Sequence, residues 1–461
     1  MSNAQDGPNL ERLYSINLDG SRNHLHPADV RGRFTRWRRA TFILLLGIYL
    51  ALPLVQVGGH PAVHLDIAAR RFYLFGAVFN SQDTWMTLFV FAGVAFGLLF
   101  FTAWFGRVWC GWACPQTVFL EAIYRPIERL FEGPREKRIR LERAPWTLDK
   151  IARRAGKHLV YILLSLFIAH VTLSFFVSGH SLVQMMRHSP REHLSAFLWM
   201  AAIAGGFYFN FAWFREQLCI VICPYGRLQS ALTDKDSLII GYDTKRGEPR
   251  GKVGSPGKGD CVDCNRCVAV CPTGIDIRAG LQMECIACTR CIDACDEIMD
   301  RVHRPRGLIR YDSQNGLEGA RKRTVRPRLF AYGALLATAL VGLGVSAGTR
   351  QPFEANLIRM RGAPYVLDGE TIRNSYELHV VNKNNVETRF HIAVQTPLRS
   401  QLVVPQNELQ LGPLESARVP IFVTVERADF KLPFEVVVDV QETPGELHRQ
   451  ARARFLGPIG N

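Results

Sequence analysis

Five runs of roughly twenty apolar residues constrain this chain more than any other feature. They lie at about 39–58, 85–105, 158–178, 195–214 and 329–348. Such a run must satisfy every backbone N–H and C=O within itself if it sits in hydrocarbon, and a helix does that. Five membrane-spanning helices are therefore expected. The polar flank before the first run is too long for a plain signal peptide, and no small-residue cleavage site follows it, so this run reads as a retained span.

Lysine and arginine near the ends of the runs set the orientation. Arg31, Arg33, Arg36, Arg38 and Arg39 precede the first run, and Arg321, Lys322, Arg323, Arg326 and Arg328 precede the last. The segment after the second run holds a dozen more, from Arg107 to Lys157, whereas the loop after the first run has Arg70 and Arg71 and the loop after the third has Arg187 and Arg191. The expected arrangement has the N-terminus in the cytoplasm and, after five crossings, the C-terminus outside a bacterial inner membrane. The net charge of +15 then belongs to cytoplasmic loops and lipid contact. No aromatic–basic sheet pattern or DNA-reading motif argues for nucleic acid.

All 12 cysteines fall between Cys110 and Cys295, which puts each of them on the cytoplasmic, reducing side. Metal ligation suits that distribution better than a disulfide framework. Eight sit in two runs, CVDCNRCVAVCPTG (261–274) and CIACTRCIDACDE (285–297). The C-x2-C-x2-C-x3-C spacing is that of a two-cluster ferredoxin, where the fourth cysteine of each run ligates the other cluster. Cys261, Cys264, Cys267 and Cys295 would hold one [4Fe–4S] cluster, and Cys285, Cys288, Cys291 and Cys271 the second. Paired zinc knuckles fit eight cysteines in two such runs poorly. The second run has Asp296 where the first has Pro272, a change that shapes backbone rather than removing a ligand.

The other four cysteines belong to an internal repeat. AWFGRVWCGWACPQTVFLEA (103–122) aligns without gaps on AWFREQLCIVICPYGRLQSA (212–231). The simplest account is a duplicated two-span hairpin with a thiol pair at the cytoplasmic end of each copy. Residues four apart share a helix face, so Cys110 with Cys114 and Cys219 with Cys223 can each point at one place. The prolines put each pair at a helix end. Four such thiols suit a soft ion such as Cu(I), or dithiol–disulfide chemistry, and the motif does not separate the two. Buried filler at a helix interface would explain one pair; the recurrence of both cysteines and the proline argues against it.

After the last apolar run, ELHVVN, RFHIAV, LVVP, ARVPIFVTV and FEVVVDVQE read as strands separated by turn residues, and an Ig-like antiparallel sandwich is expected. The resulting division is 1–38 N-terminal segment, 39–223 four-span core, 224–327 dicluster ferredoxin domain, 328–349 fifth span and 350–461 periplasmic β domain.

These features together resemble the cytochrome oxidase accessory protein family called CcoG, FixG or RdxA. The resemblance rests on the two C-x-x-x-C-P motifs, the dicluster run, CIACTRCIDACDEIMD followed by GLIRYD (307–312), LDIAARRFYLFGAVFN (65–80) and the strand-rich tail. It implies a role in assembling the C-type haem–copper oxidase by reducing Cu(II) to Cu(I), in concert with a copper-transporting P-type ATPase and oxidase assembly factors. Cys110, Cys114, Cys219 and Cys223 would then be the copper and redox site. A cousin family with the same four-span core oxidises quinol but lacks such a C-terminal domain. A quinol-oxidising electron-transfer subunit and a non-redox assembly scaffold are the competing expectations.

Four histidines invite chemistry more weakly. His60 and His64 flank the outer end of the first run, and could meet copper or a quinol head group. His170 lies inside the third run and His180 just beyond it, where a satisfied hydrogen bond is an equal expectation. Trp104, Trp109, Trp112 and Trp213 fit an interfacial belt, and the basic segment 125–157 reads as topology and lipid contact.

Overall fold

The computed structural model describes residues 24–458 apart from 68, 69, 80–83, 322, 324, 385 and 446. The chain forms two compact units, one up to Leu343 and one from Gly344 onward.

Among the described residues of the chain, four helices are long and apolar enough to cross a bilayer: Trp85–Phe105, Leu148–Leu173, Leu194–Phe214 and Pro327–Gly348. The first expected span differs. Its helix runs Arg33–Ala51, and four arginines occupy its opening turns. The apolar part from Ala40 is about 18 Å long at the α-helical rise, short of a bilayer core. Pro53 then ends the helix, and Gln56–Val57 pairs with His60–Pro61 as a strand ladder. The third expected span is shifted: it starts at Leu148, because the Thr147 side chain accepts from the Lys150 N–H and caps the helix there. The basic turn before His158 is thus helical too, a stretch that counting apolar residues alone passes over.

The Leu148–Leu173 and Leu194–Tyr208 helices pack together. Tyr124, Tyr161, Ile168 and Phe211 fill their junction. The Arg33–Ala51 helix leans on the same bundle, with Tyr49 Oη donating to Ile168 O at 3.1 Å. A small sheet of Val63–Asp66, Arg71–Leu74 and Ala77–Phe79 follows that helix.

The cysteine-rich segment folds around a two-stranded ladder, Ile239–Tyr242 with Ile309–Asp312, and the helix Arg290–Arg301. The N-terminal segment, expected as a separate piece, is woven into it. Ala28 N donates to Ala269 O at 2.7 Å, and Arg266 donates to Asp29 O at 2.9 Å. The Asp293 carboxylate accepts from the backbone N–H groups of Phe34 and Thr35, at 3.2 and 2.7 Å. It thereby caps a helix whose own sequence offers Gly32 at the N-cap. A Cβ on Gly32 would lie 2.2 Å from Asp293 Cγ, so the small residue is what admits the carboxylate.

The second unit is an antiparallel sandwich. One sheet runs Gln401–Val403, Ser416–Glu426, Thr371–Asn382 and Phe353–Arg359, with Val366–Asp368 beside Thr371–Asn382; the other runs Glu408–Leu411, Thr388–Gln395, Phe434–Thr443 and His448–Phe455. Alternate residues of the long strands, among them Tyr376, Leu378, Val380, Ile421, Val423, Val436 and Val438, are fully buried between the sheets, as period-2 patterning requires. Asn374, buried among them, accepts from Leu456 N at 3.0 Å and donates to Leu456 O at 2.7 Å, which ties down the end of the last strand.

Candidate iron–sulfur and thiol site

Each copy of the repeat ends a long apolar helix in the same way. Gly106 in the first copy and Arg215 in the second, which the gapless alignment places opposite each other, both turn the chain through positive φ, at 58° and 56°. A short helical turn follows, Val108–Trp112 or Leu218–Ile222, and then the second cysteine leaves helical geometry. Cys114 has φ −60°, ψ 126° and Cys223 has φ −60°, ψ 110°. The following proline forces this, since its ring excludes helical conformation one residue before it. Cys114 N donates to Trp109 O at 2.9 Å, and Cys223 N donates to Leu218 O at 2.8 Å. The paired cysteines are therefore not on one continuous helix, as spacing alone suggests. The first sits in a closing turn and the second is the N-cap of a new helix begun by Pro115 or Pro224.

This geometry brings the four thiols near enough to act on one another, without three of them converging on an ion-sized point. Burial pushes the Cys110 thiol up to about 11, with Cys114 and Cys223 adding to the rise. Burial, then Cys114, Cys110 and Cys223, push Cys219 up to about 12. Cys114 is raised by burial, against the backbone N–H groups of Gln116 and Thr117 that point at it. Cys110 Sγ donates to Gln229 Oε1 at 3.4 Å. Polar bonds cross between the copies around them: Gln116 donates to Arg215 O at 2.8 Å, and Thr102 Oγ1 meets Tyr225 Oη at 2.6 Å.

The eight ferredoxin-type cysteines line two adjoining cavities. Cys261, Cys264, Cys267 and Cys295 face one, with Tyr242 and Arg278. Cys271, Cys285, Cys288 and Cys291 face the other, with Ile240, Ile275 and Ile277, and Cys267 borders both. Left-handed backbone at Asp263, Asn265, Ala287 and Thr289 curls each loop around its cavity. Burial raises Cys267 to about 11 and Cys285 and Cys295 to about 12. Thiols held in apolar walls, each disfavouring the others' ionisation, fit a positively charged group that takes them as thiolates. Among the described residues no three His, Cys, Asp or Glu side chains converge on a single ion-sized point. Thiols spread around a cavity are instead what the corners of a cluster require. The residues thus fit two clusters.

The thiol motif and the second cavity touch. A Cβ on Gly111, in the middle of CGWAC, would lie 2.5 Å from Ile286 O and 2.8 Å from Cys288 Cα. Only glycine lets CGWACP lie flat on the loop that carries Cys285 and Cys288. Arg38 Nε donates to Gly111 O at 2.7 Å and its charge acts on Cys288. Trp112 Nε1 donates to Tyr311 Oη at 3.1 Å, and Tyr311 Oη to Ala287 O at 3.0 Å.

The comparisons with known proteins belong with this geometry. A 4Fe-4S dicluster domain model matches residues 214–314, a 4Fe-4S binding domain model matches 84–134, and a model of the Ig-like fold at the C-terminus of FixG matches 343–458. Protein RdxA of Cereibacter sphaeroides is 38% identical over 399 residues, 82% of this chain and 83% of its own length. The nitrogen fixation protein FixG of Rhizobium meliloti is 31% identical over 494 aligned positions, covering 95% of this chain and 94% of its own. The chain belongs to the FixG and RdxA family. Protein RdxB of Cereibacter sphaeroides, at 36% identity over 82% of the chain, is a further relative. The chain is an iron–sulfur protein with an electron-transfer or oxidoreductase role, carrying 4Fe-4S binding domains, an Ig-like C-terminal domain and apolar helices of a membrane protein.

The structure gives the weaker candidates local partners. His60 packs against Tyr73 with 4.4 Å between centroids and the rings tilted by 34°, and His64 lies 5.7 Å from the same ring. His170 Nδ1 bonds Leu166 O at 2.7 Å within its own helix, and His180 meets Gln184 at 3.0 Å.

The segment 125–157, read from sequence as lipid contact, is in part buried and ionic. Glu128 pairs with Arg138 at 3.3 Å and with Arg215. Glu121 takes Arg290 at 2.6 Å, Arg38 at 3.7 Å and Arg125. Lys157 meets Glu132 at 2.6 Å. The i,i+4 spacing of Glu121 and Arg125 was the one sequence signal of this network.

Proposed function

We propose that the protein reduces Cu(II) to Cu(I) at the Cys110, Cys114, Cys219 and Cys223 thiols, in support of haem–copper oxidase assembly. One observation carries this reading: CGWACP rests through Gly111 on the loop of the second cysteine-lined cavity. Clusters in the two cavities would supply electrons one at a time, drawn from a cytoplasmic or quinol donor. Reduction of one Cu(II) consumes one electron and breaks no covalent bond. Thiols that are protonated when free give up protons as they take the ion. Thiolates hold Cu(I) better than Cu(II), which prefers nitrogen and oxygen, so the site itself draws the couple toward the reduced ion. Cu(I) then leaves for a chaperone or a copper-transporting ATPase.

The topology that suits this function has the thiols and cavities in the cytoplasm and the Ig-like unit in the periplasm. This topology needs a crossing between Arg39 and residue 84, a stretch in which the Arg33–Ala51 helix supplies about 18 Å of apolar length. A phosphatase reporter fused after Asn461 should then be active, and an inactive one would reverse the orientation.

A second reading has a specific basis. The 84–134 match is to a 4Fe-4S binding domain, yet Cys110 and Cys114 are the two cysteines it holds. With Cys219 and Cys223 they make the four thiolates of a further cluster. One experiment separates the readings. Anaerobic protein with reduced clusters receives Cu(II), and cluster re-oxidation and chelated Cu(I) are followed together, with iron measured per chain. Cu(I) forming in step with re-oxidation, and slowly in the Cys110→Ala/Cys219→Ala variant at unchanged iron content, supports cupric reduction. Loss of iron in the variant supports the further cluster. Identical behaviour of both proteins removes the four thiols from either role.

A further inference from the structure

Beside the thiol site, residues 27–43, the 121–129 stretch, Arg138 and Arg290 enclose a cavity of ≈ 420 Å³. Arg38, Arg39, Arg125, Arg129, Arg138 and Arg290 are in its wall, against the carboxylates Asp29 and Glu121. Glu128 and Glu216 behind the wall neutralise part of this, but they also take Arg215. With Asp293, which the wall residue Thr35 also touches, seven guanidiniums stand among five carboxylates, an excess of two. A cluster of that sign inside a protein calls for an anion.

Four guanidinium nitrogens around the cavity are unpartnered as well. Arg38 Nη2, Arg125 Nε, Arg138 Nε and Arg290 Nε are buried with no hydrogen-bond partner among the described residues. Arg38 and Arg125 are 5% and 7% exposed, so water reaches them poorly, and a buried donor without an acceptor is costly. Guanidinium forks match the tetrahedral oxygens of a phosphate. Part of the wall is apolar. Phe42, Ile43 and Pro126 lie there, and Ile43 stands 72% exposed on the apolar end of the Arg33–Ala51 helix.

We propose that this cavity binds a phosphate group, and that its apolar lining makes an anionic phospholipid the source, with the head among the arginines and a chain along the exposed Ile43. The site is independent of copper reduction.

The test uses full-length protein in neutral detergent, titrated with phosphatidylglycerol bearing a fluorescent acyl chain, with phosphatidylcholine as control and inorganic phosphate as competitor. Phosphatidylglycerol should bind, phosphatidylcholine more weakly, and phosphate should displace the lipid. Arg39→Gln/Arg129→Gln, a change at two exposed rim positions, should weaken binding about thirtyfold, from roughly 1 kcal/mol per cation. Retained cluster absorbance shows that the variant is folded. Should it fail to fold, Arg39→Lys/Arg129→Lys and phosphate competition on the wild type decide the matter. Radiolabelled phosphate binding without lipid binding keeps the site and assigns it to soluble phosphate. Equal affinity for the two lipids, unaffected by phosphate, overturns the proposal.

Discussion

Replacing Glu128 by glutamine tests the ionic junction that holds the two copies of the repeat together. Glu128 lies in the stretch after CGWACP, and its partner Arg215 occupies the left-handed turn four residues before Cys219. Burial works against the glutamate's charged form, but Arg215, Lys157 and Arg138 outweigh it and hold the carboxyl at about 2 instead of 4.5. A depression of that size corresponds to about 3 kcal/mol of preference for the ionised, folded state. Breaking a buried pair by removing one partner typically costs about 3–5 kcal/mol, because the other charge is left uncompensated. Glu128→Gln should therefore lower the stability of the first unit by about 3 kcal/mol, a fall in Tm on the order of 6 °C. The same argument has a pH form. A carboxyl depressed in the fold contributes fully above its unfolded pKa and loses that contribution as pH falls through the folded one. Wild-type stability should drop between about pH 4.5 and pH 2, and the variant should show less of that dependence. The assay is thermal unfolding in detergent at several pH values, followed by cluster absorbance. Arg215→Gln should cost less in the Glu128→Gln background than alone. A Glu128→Gln protein within about 0.5 kcal/mol of wild type, with unchanged pH dependence, would refute the reasoning.

Three further outcomes are expected. Gly111→Ala forces a Cβ against Ile286 O, 2.5 Å away in the present geometry; it should slow copper-driven re-oxidation several-fold in stopped flow while leaving iron content intact, with an overpacking cost of about 1–3 kcal/mol in unfolding. Arg278→Gln removes bonds to Asp276, Asp263 and Asn265 in the loop of the first cavity, so air exposure should strip half of the iron much faster than in wild type, as timed iron analysis would show. Asn374→Ala leaves the Leu456 N–H and C=O without their partner and should destabilise the Ig-like unit by about 2–3 kcal/mol, visible as an earlier calorimetric transition with the cluster absorbance unchanged.

The elements that sequence made legible are those whose signal is local. The strands at 377–382, 389–394 and 417–425 alternate with period two, and the sandwich follows. Helices such as Trp85–Phe105 are continuous apolar runs. The correspondence of Cys110 with Cys219 and Cys114 with Cys223 could be read because the repeat has no gaps. Long-range features left no such trace. Nothing around Ala28 announces a bond to Ala269, and Arg138 looks like any loop arginine until Glu128 is found beside it. The first helix ends before its apolar run does, because Pro53 stops it and Val57, which extends the run, is drawn into a strand ladder. The split of each thiol pair between a closing turn and an N-cap needed backbone angles that spacing does not carry.

The carboxylate of Asp293 that caps the Arg33–Ala51 helix imposes an order on synthesis. The helix leaves the ribosome well before its cap, which is some 258 residues behind it. Until Asp293 emerges, Phe34 and Thr35 have no such acceptor, and the strand of contacts from Ala28 to Ala269 cannot form. The core around Cys285 and Cys291, against which Phe34 packs, is therefore completed only when parts of the first unit far apart in sequence meet. A deletion of the N-terminal segment through Thr35 would leave that core and Asp293 without these partners.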